Sequence, residues 1–459
     1  MLHPLVAVWL LIAIVLILTR PRKQALAVFL FSCFSIPIGQ VVVLATLHFT
    51  VLRILVLAGL VRRAFRQSGD KFPGGFNALD QVVVLWTLSY LVVLSLQWMN
   101  TQSLIHNLGD FLDALGGYFV VRFLIPDGEA IRYAVKVLAV VCIIQGAFMI
   151  NEQVAHVNVF GYLGSGWIGV TVRDGKIRSE GVMGCLHAGV FGGVLIPWFL
   201  WLWTAGKARI LACAGIAGAV AMAITSNSST SLLALGGSIV GLAFWPLRKQ
   251  MRLVRWGLAS ALVTLHLVMK APVWALIAHI DLTGSSSGDH RYKLMDNCIR
   301  HFSDWWLLGY RYYDGWGYDM WDLCNQFVVI ALTGGLLTLI FYIGIFKRGF
   351  AAIGTARKQV NGDGAREWLL WCMGVDLFAN VVSHFGINYM AQLMMSMFPL
   401  LACISVAAFE AKKATIGTEK APVRKHFAPV LTAEDPDQSI SETPEEVRHG
   451  LFAPGRGLV

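Results

Sequence analysis

The sequence contains little charge. Only 14% of its 459 residues are Asp, Glu, Lys or Arg, whereas 56% are hydrophobic. Because ordinary soluble domains carry about 25% charged residues, this composition excludes a soluble protein of the usual kind. It predicts an integral membrane protein.

The sequence also lacks the short motifs that identify several classes of enzyme. It has no Cys-x-x-Cys pair, His-Glu zinc motif, Walker loop or dinucleotide-binding fingerprint, so we expect neither a bound metal nor a cofactor. Of the eight cysteines, six lie in or beside apolar segments, and Cys298 and Cys324 lie in or beside a long polar loop. Two free thiols are favoured there, and a disulfide in an oxidising compartment is the alternative.

Long apolar segments fill most of the chain. About 20 apolar residues suffice for a helix to cross a hydrocarbon core, and we count thirteen candidate segments. They are 4–19, 26–44, 47–61, 81–98, 104–125, 133–150, 183–204, 208–225, 229–247, 254–279, 326–346, 368–384 and 388–409. Continuous apolar character favours helices over the alternating strands of a barrel. The predicted fold class is therefore an all-α, polytopic transmembrane bundle.

The end of the chain has a different composition. Residues 410–459 are rich in Glu, Lys, Pro and Thr and poor in large apolar side chains. Such a segment cannot bury enough apolar surface to fold. The sequence therefore predicts a transmembrane domain over 1–409 and a disordered cytoplasmic tail over 410–459.

The net charge of +10 is not spread evenly. Basic residues cluster at alternate ends of the apolar segments, for example Arg62 and Arg63 after the third. This pattern follows the positive-inside rule and indicates membrane lipids, and no nucleic acid, as partners. It places the C-terminus in the cytoplasm and, with thirteen spans, the N-terminus outside. The long loops 151–182 and 281–325 then both face the exterior.

The exterior loop from Asp281 to Asp322 is the most unusual polar segment. It contains ten aromatic residues, seven Asp and four Lys or Arg. Eight of the aromatics fall within seventeen residues among charges, which an interfacial aromatic belt explains poorly. Aromatic faces beside polar groups suit a sugar, so we expect a short amphipathic element that caps a site. Its substrate-binding candidates are Trp305, Trp306, Tyr310 and Arg311.

Two shorter polar segments lie on the same predicted side. In the first, Arg178 and Gly181 precede a span. Arginine can bind a phosphate through a forked pair of hydrogen bonds, and glycine lets the backbone approach closely. The second, residues 225–237, is a hydroxyl-rich turn between two apolar segments. There Ser228 either binds a sugar or phosphate or caps the following helix.

The order of these segments resembles the O-antigen ligase and polymerase superfamily. The similarity consists of Arg178-x-x-Gly181 before a span, a Ser/Thr-rich helix turn, and a long exterior loop. That loop starts near Arg291 and ends at Asn325, before a helix that contains Gly-Gly-Leu-Leu. The similarity covers roughly Arg178 to Ile345. The order is more specific than any single motif.

The resemblance implies a bacterial inner-membrane glycosyltransferase of the metal-independent, all-helical GT-C type. Its donor is then a glycan on undecaprenyl diphosphate, its acceptor a glycan or a lipid, and its further partners other polysaccharide-assembly proteins. In the superfamily, matched arginines are held to bind the diphosphate, a role that carries over to Arg178 and Arg291. We expect Gly181 and Asn325 to contact substrate beside them.

The resemblance does not identify the general base of this chain. Many members have a His immediately before the Asn that ends the loop, whereas this chain has Cys324 there. The candidates that remain are His290, Asp322, His301 and Asp319, of which His290 is best placed by sequence because it precedes Arg291. Cys324 is a weak base and is expected to pack at the start of the helix.

Two classes of function therefore compete. We expect a polymerase or ligase of O-antigen or exopolysaccharide glycans at the outer face of the membrane, and residues alone separate neither these two activities nor the sugars they use. The alternative is a flippase for polysaccharide units or another secondary transporter. Such transporters often contain internal repeats and helices broken in both halves. The sequence has no convincing repeat, and its polar residues concentrate in one exterior loop, which favours the enzyme.

Overall fold

A computed structural model describes residues 2–44, 47–65, 72–164, 168–279, 287–317, 319–360 and 362–419. The chain is mostly helical, in agreement with the predicted all-α class. The helices are α1 (Pro4–Thr19), α2 (Arg22–Ser35), α3 (Val51–Phe65), α4 (Ala78–Trp98), α5 (Thr101–Phe111), α6 (Gly117–Leu124), α7 (Gly128–Ala155), α8 (Cys185–Thr204), α9 (Arg209–Thr225), α10 (Ser229–Ala243), α11 (Met251–Val268), α12 (Ser287–Arg300), α13 (Phe302–Trp305), α14 (Gln326–Gln359), α15 (Gly364–His384) and α16 (Ala391–Glu419).

Each predicted apolar segment contains a helix. Among the described residues, six helices are long and apolar enough to cross a membrane: α4, α7, α8, α11, α14 and α16. Multiple apolar helices fit a multi-pass membrane protein, whereas the predicted number of thirteen crossings is not confirmed.

The segment predicted as a span over 26–44 is helical only as far as Ser35. Its end forms a strand, β1 (Val41–Leu44), which pairs antiparallel with β2 (Leu47–Thr50). Pro37 follows the helix closely, and the residue before a proline disfavours helical geometry. The β-branched valines of β1 then favour a strand. Here the sequence-based prediction of one long helix is wrong.

The other boundaries also shift. Helix α7 runs to Ala155, so the first predicted loop begins later than residue 151. This loop contains a hairpin of β3 (Thr171–Arg173) and β4 (Lys176–Arg178). Its turn, Asp174-Gly175, has positive φ at both residues, as tight hairpin turns require. Helix α16 extends through Glu419, so the start of the predicted tail is helical. Residues 420–459 lie outside the described residues.

Contacts sort the connecting segments into two ends of the bundle. At one end the Ile38 amide donates to Val182 O (3.2 Å), and the Ser179 amide donates to Thr225 O (3.0 Å). At the other end Arg357 donates to Glu367 (2.8 Å). Arg291 of the long loop also donates to Thr230 at the first end. The predicted exterior loops therefore share that end, and basic clusters lie at the second.

A buried ion pair joins two helices near the basic end. The Arg122 side chain is fully buried, and its Nε lies 3.4 Å from Asp80 Oδ1. A second guanidinium nitrogen donates to Pro73 O (2.7 Å), and the Tyr118 hydroxyl donates to Asp80. Arg122 therefore points into the bundle, where lipid contact would be costly.

Replacing one partner of this pair should destabilise the protein strongly. Asp80→Ala leaves a buried guanidinium uncompensated, which typically costs about 3–5 kcal/mol. We expect a clear fall in the thermal unfolding temperature of the detergent-solubilised protein. The matched double variant Asp80→Leu with Arg122→Met removes both charges and should recover most of the loss. Equal stability of Asp80→Ala and the wild type would contradict the structural role of this pair.

Candidate active site at the root of the long loop

The described part of the long loop, residues 287–317 and 319–322, is a folded element with its own small core. Trp305 and Cys298 are buried with Leu332 of α14 and its neighbours, and Tyr310 and Trp316 pack against them. The Trp305 indole donates to Cys298 O (2.7 Å). The rings of Tyr310 and Trp316 are stacked with centroids 5.3 Å apart. Trp305, Tyr310 and Trp316 therefore pack within the protein, whereas other aromatic side chains of the loop, such as Tyr312 and Trp321, are exposed.

A break in α14 holds the loop in place. Gly335 has φ +69°, outside helical geometry. At this break the Leu336 amide donates to Trp306 O (2.8 Å), and the Tyr310 amide donates to Leu332 O (2.7 Å). The loop backbone thus replaces hydrogen bonds that a continuous helix would make internally. The loop therefore docks on α14 at Gly334 and Gly335, the Gly-Gly pair of this helix.

Arg291 lies at the root of the loop. It is 7% exposed, and its Nη2 donates to Thr230 Oγ1 at 3.0 Å. Thr230 in turn donates to Gly386 O (2.9 Å). Arg291 therefore joins α12 to the start of α10 and, through Thr230, to the segment that follows α15. Its guanidinium also lies beside the Cys324 thiol.

His290 and Asp322, both predicted from sequence, are brought together. His290 Nε2 lies 2.9 Å from Asp322 O and 3.9 Å from Asp322 Oδ2. A backbone carbonyl only accepts, so Nε2 must carry the proton, and the lone pair of neutral His290 is then on Nδ1. With Cys324 these residues place their donor atoms within 4.8 Å of one another. The positive charge of Arg291 beside Cys324 opposes a divalent cation there.

The Cys324 thiol is held in its neutral form. Burial raises the pKa of Cys324 to about 11, although the Arg291 guanidinium lowers it in part. Deprotonation at neutral pH is therefore rare, and Cys324 serves neither as a base nor as a thiolate. Cys298 and Cys324 are both free thiols.

Alkylation of Cys324 should therefore be slow and strongly pH-dependent. An unperturbed thiol has a pKa of about 8.5, so at pH 8 we expect iodoacetamide to modify Cys324 roughly a hundredfold more slowly than an exposed cysteine. The rate should rise toward pH 11 as the thiolate forms. Ser303→Cys, exposed on the same loop, is the comparison, with both sites followed by peptide mass spectrometry. Equal rates at pH 8 would contradict a partly buried, neutral thiol at Cys324.

Arg178 reaches the same region from the first loop. Asn227 Nδ2 donates to Ile177 O at 2.6 Å, and the Ser179 amide donates to Thr225 O. Arg178 also interacts electrostatically with Cys185 at the start of α8. Within the described part of the chain, its buried Nε has no hydrogen-bond partner. The hydroxyl-rich turn thus holds the strand that carries Arg178 and also, through Thr230, contacts Arg291.

The remaining predicted residues have mainly structural contacts. Gly181 has φ +56°, and a Cβ there would lie 2.8 Å from Gln145 Oε1, so its conformation and packing require glycine. Ser228 is buried at the start of α10, and its side chain makes no capping hydrogen bond to the described residues. Asn325 Oδ1 caps α14 by accepting from the Phe327 and Val328 amides.

The four substrate-binding candidates of the loop differ in exposure. Trp305 is 5% exposed and belongs to the core of the loop, so its indole ring is covered by the protein. Tyr310 is partly covered by Trp316. Trp306 remains 47% exposed. The Arg311 guanidinium lies over the rings of Trp98 and Tyr312, 4.9 and 4.6 Å from their centroids. Trp306 and Arg311 are the more accessible pair.

A cavity of about 550 Å³ lies next to this site. Its walls include Gln326, Asn388 and Tyr389, and the Asn388 carbonyl contacts His187 Nε2 at 3.0 Å. Sequence reasoning named neither this cavity nor its acidic residues, Asp110 and Asp113. One signal was present: these two acids and Arg53 all fall within or beside apolar segments, where ionisable residues are costly.

In comparisons with known proteins, no protein-family model matches the chain, and no curated protein is significantly similar to it.

Proposed function

We propose that the chain is a metal-independent glycosyltransferase of the bacterial inner membrane, a polymerase or ligase of exported glycans. It takes its donor sugar from undecaprenyl diphosphate at the exterior face. The observation that carries this proposal is the convergence of three distant segments. The Arg178 strand, the turn at 225–231 and the root of the long loop are joined by hydrogen bonds through Thr225, Asn227 and Thr230.

The electrostatics of this region suit a diphosphate. Arg178 and Arg291 both lie in this region. Helices α8, α10 and α14 also begin there, as the contacts of their first residues with these arginines or with the segment after α15 show. Each helix N-terminus carries roughly half a positive charge. Asn325 pairs two of the first amides of α14, whereas no described side chain caps α8 or α10. Such a set stabilises the negative charge that grows on a departing diphosphate, as a metal ion does elsewhere.

The reaction forms one bond and breaks one. An acceptor hydroxyl attacks the anomeric carbon of the donor sugar, and the bond from that carbon to the diphosphate oxygen breaks. The electron pair leaves with undecaprenyl diphosphate, beside Arg178 and Arg291. The hydroxyl proton passes to a base. His290 Nδ1 is the favoured acceptor, because its other nitrogen is fixed on Asp322 O.

Deletion of the gene tests this function and separates it from the alternative. A strain without a polymerase should accumulate surface glycans of a single repeat unit, and one without a ligase should accumulate long chains on the lipid carrier. Both are visible by gel analysis of surface and lipid-linked glycans. Repeat units trapped on the cytoplasmic face would instead indicate a flippase, and unchanged glycans would contradict the proposal.

A further inference from the structure

The cavity next to the candidate active site has walls of mixed character. Its volume of about 550 Å³ is typical of small-molecule sites. One part is apolar, with Leu55, Met395 and Phe398, and another carries aromatic side chains with polar atoms, among them Tyr90 and Tyr389. These residues come from α3, α4, α16 and the segment before α16. The cavity lies among helices of the bundle, at the end where the long loop docks.

The charged groups in its walls are two carboxylates and one guanidinium. Arg53 donates to Asp113 through Nε (3.1 Å) and Nη2 (2.7 Å), and Nη2 lies 3.4 Å from Asp110 Oδ1. With His106 and His48 neutral, the formal charge of the lining is −1. An anionic diphosphate is disfavoured beside two carboxylates, and Arg53 already neutralises one of them.

The backbone is adapted to hold this group. A π-helical turn, Leu112–Gly116, interrupts the helix that carries Asp110 and Asp113, and such turns are frequent at functional sites. A Cβ at Gly109 would lie 2.3 Å from Arg53 Nη1, so glycine lets Arg53 lie across α5. Asp110 is held more loosely than Asp113, since its side chain is 40% exposed and its contacts to Arg53 (3.4 Å) and His106 (3.5 Å) are long. One carboxylate therefore remains accessible to a ligand.

Two further polar atoms in the cavity wall have no partner among the described residues. They are the Trp86 indole nitrogen, a donor, and the Gln392 amide oxygen, an acceptor. Both side chains line the cavity and are 5% exposed. Leaving a buried polar group unpaired is unfavourable. A ligand that both donates and accepts, as a hydroxyl does, would satisfy them.

We infer that this cavity binds the acceptor sugar, a neutral saccharide end whose hydroxyls bond to Asp110, Trp86 and Gln392. The role of this sugar as the acceptor rests on the proposed function. The binding of a sugar is argued from the cavity alone. Its position fits, because Gln326 and Asn388 belong to its wall and also adjoin the region of Arg291 and His187. Donor diphosphate and acceptor sugar then occupy neighbouring compartments of opposite charge.

Protection of a cysteine in the cavity wall tests this site without measuring catalysis. His48 is exposed and lines the cavity, so His48→Cys in the full chain, held in lipid nanodiscs, can be labelled with a maleimide and followed by peptide mass spectrometry. The probes are methyl glycosides of common cell-surface sugars and inorganic pyrophosphate. We expect at least one glycoside to slow labelling and pyrophosphate to have no effect.

Second substitutions identify the contacts. Asp110→Asn and, independently, Trp86→Phe should each raise the glycoside concentration needed for half-protection, by about tenfold for Asp110→Asn because it removes a charged hydrogen-bond acceptor. Asp314→Asn, an exposed carboxylate of the long loop, should leave protection unchanged. If no glycoside protects, or if pyrophosphate protects as well, the inference is overturned. If the protein transfers glycans but no glycoside protects the cysteine at position 48, only this site is overturned. If a glycoside protects that cysteine but the protein transfers no glycan, only the proposed function is overturned.

Discussion

Arg291→Ala should lower glycan transfer by roughly a hundredfold to a thousandfold, the usual effect of removing one preorganised donor to a developing negative charge. Arg178→Ala should have an effect of the same order. Arg291→Lys should recover little, because an ammonium keeps the charge but loses the forked donor geometry. The measurement is the initial rate of transfer from a lipid-diphosphate donor by equal amounts of membrane-inserted protein.

The matched control is Arg300→Ala, on the same helix as Arg291. Arg300 is 69% exposed and pairs with Asp296 one turn away, so its loss should leave the rate unchanged. Size-exclusion profiles of each variant report on folding. Wild-type transfer by both Arg291→Ala and Arg178→Ala would remove the basis for a diphosphate site here.

Gly335→Ala should release the long loop from α14. Gly335 has φ +69°, and a Cβ there would lie 2.6 Å from Leu307 O. The facing glycine, Gly309, has φ +68°, and its Cβ would lie 2.1 Å from Leu332 O. A non-glycine residue at such φ costs about 1–3 kcal/mol before any clash. We expect faster proteolysis within the loop and at least about a tenfold loss of transfer, because small displacements at a reacting centre have effects of that size.

Gly315→Ala is the control for this experiment. A Cβ at Gly315 meets no described atom within 4 Å, and its φ is not positive. That variant should resemble the wild type in both proteolysis and transfer. If Gly335→Ala and Gly309→Ala also behave as the wild type does, the docking of the loop on α14 has no functional role.

Much of the helical architecture follows from the sequence because apolar length and basic flanks are local properties. The thirteen segments each contain a helix, yet Val41–Leu44 became a strand. Apolar content alone does not distinguish a helix from a hairpin, and the β-branched valines and Pro37 were the missed signal. Apolar content also gave too little information to fix the number of crossings.

The candidate site was predicted in part. His290 and Asp322 are in contact, and Arg291 binds the hydroxyl-rich turn through Thr230, a residue that the sequence did not single out. Which hydroxyl of a turn reaches a distant arginine depends on tertiary packing. The burial of Trp305 could not be predicted for a related reason, since an aromatic-rich loop can cover its own rings. The pairing of Arg53 with Asp113 across 60 residues needed the fold.

Reconstitution of the reaction tests the central proposal most directly. The full-length protein is placed in lipid nanodiscs with an undecaprenyl-diphosphate-linked glycan, a glycan or glycolipid acceptor and a chelator of divalent cations. We predict a longer or transferred glycan and an equal amount of released undecaprenyl diphosphate, with little of either from Arg291→Ala. A donor that stays intact with the wild-type protein would contradict a glycosyltransferase. A requirement for a divalent cation would contradict the proposal that the enzyme is metal-independent.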